Sequence, residues 1–199
     1  MKLLYLASQS PRRRQLLDQI GVAHELLLPD ADEDSEGLEA VWPGERADDY
    51  VLRVTLAKLE AARTRMRRRA LPPAPILCAD TAVVLGRRIL GKPSDAADAL
   101  AMLAALSGRT HRVLSAVVLG VGRRSWSATS VSRVRFAPLS ADFMADYVAS
   151  GEPFGKAGAY AIQGAIACEI ERIDGSYTGI MGLPLYETAG LLKQARIRL

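Results

Sequence analysis

Short apolar runs with strand character alternate along this chain with segments of helical periodicity, and that interleaving restricts it to an α/β layered fold built on a mixed sheet. The opening shows the pattern. Lys2 to Ala7 reads as a strand, and Pro11 to Ile20 as a helix stopped by Gly21, because proline suits the first helical turn and glycine the position after the last. A second strand is expected around Glu25 to Leu28, followed by the acidic, aperiodic loop PDADEDSEG. Tyr50, Leu52, Val54, Leu56, Leu59 and Ala62 then recur at mostly helical spacing, which predicts a helix from Glu45 to Arg69 ended by PPAP.

The second half continues in the same style. ILCADTAVVLGRRILGKP reads as a buried strand from Ile76, an interruption at Asp80 and Thr81, then a short hairpin turning at Gly86. Asp95 to Leu106 is helical with Ser94 as N-cap. THRVLSAVVLG and SWSATSVSRVRF form a second hairpin through Gly120 and Gly122, and Ser140 to Ala149 is a short helix. KAGAYAIQGAIACEIERIDG is a glycine-punctuated loop feeding a strand from about Ala165 to Ile173, and GLPLYETAGLLKQA supplies the closing helix.

A chain of 199 residues suits one compact domain, or two small lobes sharing one sheet. With 49% hydrophobic and 24% charged residues, disorder and collagen-like structure are excluded. No apolar run approaches the roughly 18 residues of a membrane span, and the arginines follow the first apolar run with no small-residue cleavage site, so a cytoplasmic protein is expected. Cys78 and Cys168 each lie in an apolar stretch and read as small buried thiols, without metal-site spacing. The net charge of +4 mildly favours an anionic partner. Much of that excess is Arg65, Arg67, Arg68 and Arg69, read as a solvated helix end rather than a nucleic-acid patch.

Chemistry concentrates in the loops. In SQSPRRR, a strand-to-helix junction leaves backbone N–H groups unpaired at the positive end of a helix dipole, and Arg12 and Arg13 add forked donors beside Ser8 and Ser10. Such a stretch suits a phosphate cradle, or an ordinary helix start with solvated arginines. Asp80, placed after the apolar or small residues Ile76 to Ala79, sits where α/β sheets collect ligands, although a turn-forming aspartate has the same appearance. Asp30, Asp32, Glu33 and Asp34 could give an oxygen ligand to a hard cation or be merely solvated. Phosphate hydrolysis needs cations on the phosphates, a carboxylate to activate water and usually a metal. Lys58, Lys92 and Lys156 are candidate point charges, and Gln163 offers an amide able to read a base edge. His24 and His111 are too isolated for either role and are taken as structural.

The residues carrying this chemistry resemble those of the Maf family, nucleoside triphosphate pyrophosphatases once described as septum formation inhibitors. The marks, in order, are LASQSPRR, the acidic loop around Glu33, Lys58, ADT at 79–81, GKP at 91–93, SGRTHRV from Ser107, YVASGEPFGKAGAYAIQG from Tyr147 and GSYTGIMGLPLYET from Gly175. The resemblance spans nearly the whole chain. It implies one Maf-like domain over 1–199, an α/β fold with a mixed twisted sheet flanked by helices, and two lobes around a cleft similar to the inosine triphosphatases. It further implies hydrolysis of a nucleoside triphosphate to monophosphate and pyrophosphate with a divalent cation, Mg²⁺ or Mn²⁺. Asp80 would be the general base and would hold the cation with Glu33; Ser8, Ser10, Arg12, Arg13, Lys58, Thr81, Lys92, Lys156 and Gln163 would bind substrate.

Arg12, Thr81 and Gln163 match the positions that sort substrates in the branch acting on dTTP and UTP. The family also suggests a homodimer. Thr178-Gly179-Ile180-Met181 departs from the usual pattern and reads as a more flexible link. Two rivals stand beside this reading: the same chemistry with another base preference, and a nucleic-acid-binding or division-regulating protein. A low aromatic content of 6% weighs against the second.

Overall fold

The computed structural model describes residues 3–31, 33–34 and 37–197; Lys2, expected to open the first strand, and Asp32 lie outside the described residues. Among these residues one mixed sheet of seven strands is flanked by helices, as the interleaved sequence pattern requires. The strands are β1 (Leu4–Leu6), β2 (His24–Leu26), β3 (Ile76–Leu85), β4 (Arg88–Leu90), β5 (Thr110–Val121), β6 (Arg124–Phe136) and β7 (Ile170–Asp174). Their order is β2-β1-β3-β5-β6-β7, with β4 on β3. β1 pairs in parallel with both β2 and β3, and every later pairing is antiparallel. Parallel neighbours need crossovers, which α1 (Pro11–Gln19) and α2 (Ala47–Arg68) provide.

Side chains of β3 alternate between two cores. Ile76, Cys78, Ala82 and Val84 pack on the α2 side with Val51, Val54, Leu59 and Ala62. Leu77 and Ala79 face the other way, onto Leu16 and Leu17 of α1 and onto Leu191 and Leu192 of α6 (Leu185–Gln194). Val83, on that same face, joins Leu103 and Leu106 of α3 (Ala96–Leu106) and Tyr147 of α4 (Ala141–Ala149). Burying each large aliphatic side chain contributes about 1.5–3 kcal/mol, so this double-sided packing fixes the register of β3.

The edge of β3 facing β1 is only partly covered. β1 reaches Ile76 and Leu77, β4 begins at Val83, and residues 78–82 have a strand partner on β5 alone. The carbonyl of Leu77 accepts from Ala7 N at 2.9 Å, so the residues of like parity, Ala79 and Thr81, aim their N–H and C=O groups at the same open edge. A cleft can form there without breaking the sheet.

Several local expectations change. β3 runs without interruption through Asp80 and Thr81, paired with Ala116 and Ser115, so Asp80 stands in mid-strand rather than at a strand end. Asp95, not Ser94, caps α3 by accepting from Asp98 N at 2.8 Å. Gly120 lies within β5, where a Cβ would come 2.7 Å from Leu59 of α2; the turn itself falls at Gly122. Residues 165–169 form a 3-10 turn that leaves Cys168 exposed, and β7 starts only at Ile170. Cys78 is the buried thiol, pushed up to about 12 by burial. Arg65 is not solvated: it is buried and donates to Glu33 Oε1 at 2.9 Å and to the Leu27 carbonyl at 2.8 Å.

Candidate active site

A cavity of about 450 Å³ opens at the gap between β1 and β4, lined by the β1–α1 turn, the middle of β3, β4 and the loop before the first glycine-rich turn. Ser8, Ser10, Arg12, Arg13, Lys58, Asp80, Thr81, Lys92 and Lys156 all contribute to its wall. They are scattered through the sequence from residue 8 to residue 156, and the fold brings them to one place. Gln163 sits on an exposed turn outside the wall, and Glu33 is held elsewhere.

The arginine wall is built by two elements. Pro11 starts α1 directly after the β1 turn, which places Arg12 and Arg13 on its first turn. Their guanidiniums are then tied to the C-terminal end of α5 (Tyr177–Met181): Arg12 Nε donates to the Met181 carbonyl at 3.3 Å, and Arg13 Nε to the Gly182 carbonyl at 2.8 Å. Arg13 also donates to Ser8 Oγ at 3.2 Å. Residues 178–181, read as a flexible link, therefore form a short helix with both ends capped, Ser176 accepting from Gly179 N and Gly182 closing it at φ +115°. The loose-looking segment is the part that aims the arginines. Burial lowers the pKa of both guanidiniums, and at Arg13 the charge of Asp80 is the main opposing influence.

The opposite wall is acidic and lysine-bridged. Lys58, on α2, donates to Asp80 Oδ1 at 2.6 Å and to Glu39 Oε1 at 2.7 Å, while Lys92 donates to Glu39 Oε2 at 2.7 Å. Asp80 is buried, and among the described residues its Oδ2 has no hydrogen-bond partner. Burial alone would raise the Glu39 pKa, but the charge and hydrogen bond of Lys58, with help from Lys92, hold it below the usual carboxylate range. Tyr50 OH donates to the Glu39 carbonyl at 3.0 Å and so ties the 3-10 turn Gly37–Glu39 to α2. Glu39 carries no periodicity or motif in the sequence, and only its position between two lysines reveals it.

The acidic loop is placed differently from expectation. Glu33 pairs with Arg65 and with Arg68, the latter at 2.8 Å, and Asp30 pairs with Arg68 and Arg69. The hydrogen bond from Arg65 is the main cause of the lowered Glu33 pKa. Burial lowers the Lys156 pKa and nearby Arg12 adds to the effect. Arg12, Arg13, Lys58, Lys92 and Lys156 line one cavity, a setting for an extended polyanion.

Thr81 completes the wall on the other sheet face. Its Oγ1 lies 2.8 Å from Ser115 Oγ, and Ser115 donates to the Gly179 carbonyl at 2.6 Å. Among the described residues no group of three or more His, Cys, Asp or Glu forms a ready-made metal cluster, and no helix is long and apolar enough to cross a membrane.

The sequence places this arrangement in a known context. The family model described as Maf-like protein matches residues 3–195. A dTTP/UTP pyrophosphatase of Burkholderia pseudomallei is 62% identical over 98% of this chain and 94% of its own length. A protein of the same name from Cupriavidus metallidurans is 63% identical over 97% of this chain and 96% of its own, and one from Albidiferax ferrireducens is 60% identical over 96% of each. With a match of that extent, the chain belongs to the Maf family.

Proposed function

We propose that this protein is a nucleoside triphosphate pyrophosphatase that hydrolyses dTTP and UTP to the monophosphate and pyrophosphate. The observation that carries the proposal is the convergence of Asp80 with Arg12 and Arg13 on one cavity of polyphosphate size. Full-length relatives bearing that activity in their names support it.

In this reading the triphosphate lies across the cavity with Arg12, Arg13, Lys58, Lys92 and Lys156 on its oxygens, and Ser8 and Ser10 at the helix start. Lys58 fixes Oδ1 of Asp80, which leaves Oδ2 to accept a proton from water. The water oxygen bonds to the α phosphorus, the bond from that phosphorus to the bridging oxygen breaks, and pyrophosphate leaves with the electron pair. Arginine and lysine charges meet the negative charge that builds on the departing group.

Asp80 and Glu39 both approach the same ammonium of Lys58, so two hard oxygen donors lie close together, a set that suits Mg²⁺ or Mn²⁺ when phosphates supply the other ligands. When bound, such a cation neutralises phosphate charge. Glu33 would have to leave Arg65 and Arg68 to join it. Gln163 reads the base in this account, and Lys156, Ala157 and Tyr160 of the same segment line the cavity. We take residues 1–199 as one two-lobed domain acting on free nucleotide in the cytoplasm, as a homodimer, with no nucleic-acid or membrane partner.

Hydrolysis of UTP in oxygen-18 water tests the bond broken. The label is expected in UMP; label in pyrophosphate, or release of orthophosphate, would contradict attack at the α phosphorus.

A further inference from the structure

Thr81 and Ser115 face each other as register partners on β3 and β5, and their hydroxyls lie 2.8 Å apart. A hydroxyl has one proton, and the 2.6 Å contact from Ser115 Oγ ends on the Gly179 carbonyl, which can only accept. The Ser115 proton is therefore committed to Gly179. Its oxygen can then only accept from Thr81, so the Thr81 proton points at Ser115. Ser115 is 1% exposed, so solvent does not offer its hydroxyl an alternative partner. What Thr81 turns to the cavity is a lone pair. Gly182 lies beside it, where a Cβ would stand 3.6 Å from Thr81 Oγ1, and Thr81 itself lines the cavity.

An obligate acceptor at that point selects for a donor on the ligand. A triphosphate has none. The nucleoside has two kinds: ribose hydroxyls, which rotate and serve as donor or acceptor, and the imide N–H of uracil or thymine, which can only donate. Cytosine presents a lone pair in place of that N–H, and two facing lone pairs repel. We infer that Ser115 is a positioning residue that holds Thr81 as a fixed acceptor for the pyrimidine imide, and so sets the preference for UTP and dTTP over CTP. This rests on the proposed reaction.

The measurement is kcat/KM for UTP, dTTP and CTP with wild-type protein and Ser115→Ala. Without Ser115, the Thr81 proton is free to turn toward the ligand, and the UTP-to-CTP ratio is expected to fall about tenfold, the worth of one imperfect buried hydrogen bond. A merely structural loss lowers both values together and leaves the ratio alone. An unchanged ratio in an active Ser115→Ala protein overturns the inference and leaves the reaction standing. Wild-type protein that releases no pyrophosphate from UTP overturns the reaction, and the inference with it. If Ser115→Ala does not fold, Ser115→Cys, of similar size but a weak donor, gives the same comparison: a fall in the ratio supports the inference and a constant ratio overturns it.

Discussion

Asp80 and Thr81 are consecutive on an uninterrupted strand, their side chains leave opposite faces of the sheet, and both line the same cavity. This is possible only because β1 ends and β4 has not begun at that point of the β3 edge. The cavity wraps around a bare strand edge. Asp80 meets it from the α2 side and Thr81 from the α5 side; in the proposed reaction this separates proton transfer from recognition of the nucleoside while keeping the two on one strand.

Lys58 is the hinge of the acidic wall, holding Asp80 and Glu39 at 2.6 and 2.7 Å. Lys58→Ala leaves a buried carboxylate without its donor. We expect turnover to fall by about 10²-fold and unfolding free energy by about 1–3 kcal/mol. Steady-state kinetics with denaturant titration checks both; unchanged turnover would remove Lys58 from the site.

Gly182 has φ +115°, and its carbonyl anchors Arg13. A Cβ would meet nothing closer than 3.5 Å, so Gly182→Ala should act through backbone strain rather than a clash, at about 1 kcal/mol. Since the anchor of Arg13 moves with it, KM for the triphosphate should rise more than kcat falls. A fall in kcat alone would argue against this role.

Lys58 supplies counter-charge to both carboxylates in the cavity, so the fold does not depend on a cation there. Chelation with EDTA should abolish turnover while thermal unfolding stays unchanged, and added Mg²⁺ or Mn²⁺ should restore activity. A lowered unfolding temperature after chelation would point to a structural metal instead.

His111 is buried against Phe136 and Tyr160, and burial lowers its pKa from 6.5 to about 4. The folded protein holds the ring neutral where the unfolded chain would bind a proton. Stability from this group is thus complete above about pH 6.5 and lost as pH falls toward 4, on the order of 3 kcal/mol. Urea unfolding at pH 7 and pH 5 should show a smaller acid loss for His111→Gln than for wild type.

Much of this molecule is legible in its sequence where one local rule decides the outcome. Pro11 and Gly21 bracket α1, and the spacing from Tyr50 to Ala62 gives α2. Asp80 stands out in the sequence, but its setting does not: a polar pair inside an apolar run looks like a break, whereas the sheet accepts it because Lys58 and Ser115 satisfy it from either face. Glycine content misled at 178–181, where Ser176 and Gly182 cap a helix too short to show periodicity. Arg65 and Glu39 were missed for a common reason. Their partners lie 32 and 19 residues away in sequence, and a single chain read locally has no signal for pairings of that range.

The most direct test of the account is turnover of dTTP by purified Asp80→Asn protein whose unfolding curve matches wild type. With the proton acceptor gone and the arginine wall intact, pyrophosphate release should drop by about 10²- to 10⁴-fold while the nucleotide still binds. Wild-type turnover in that protein would contradict it.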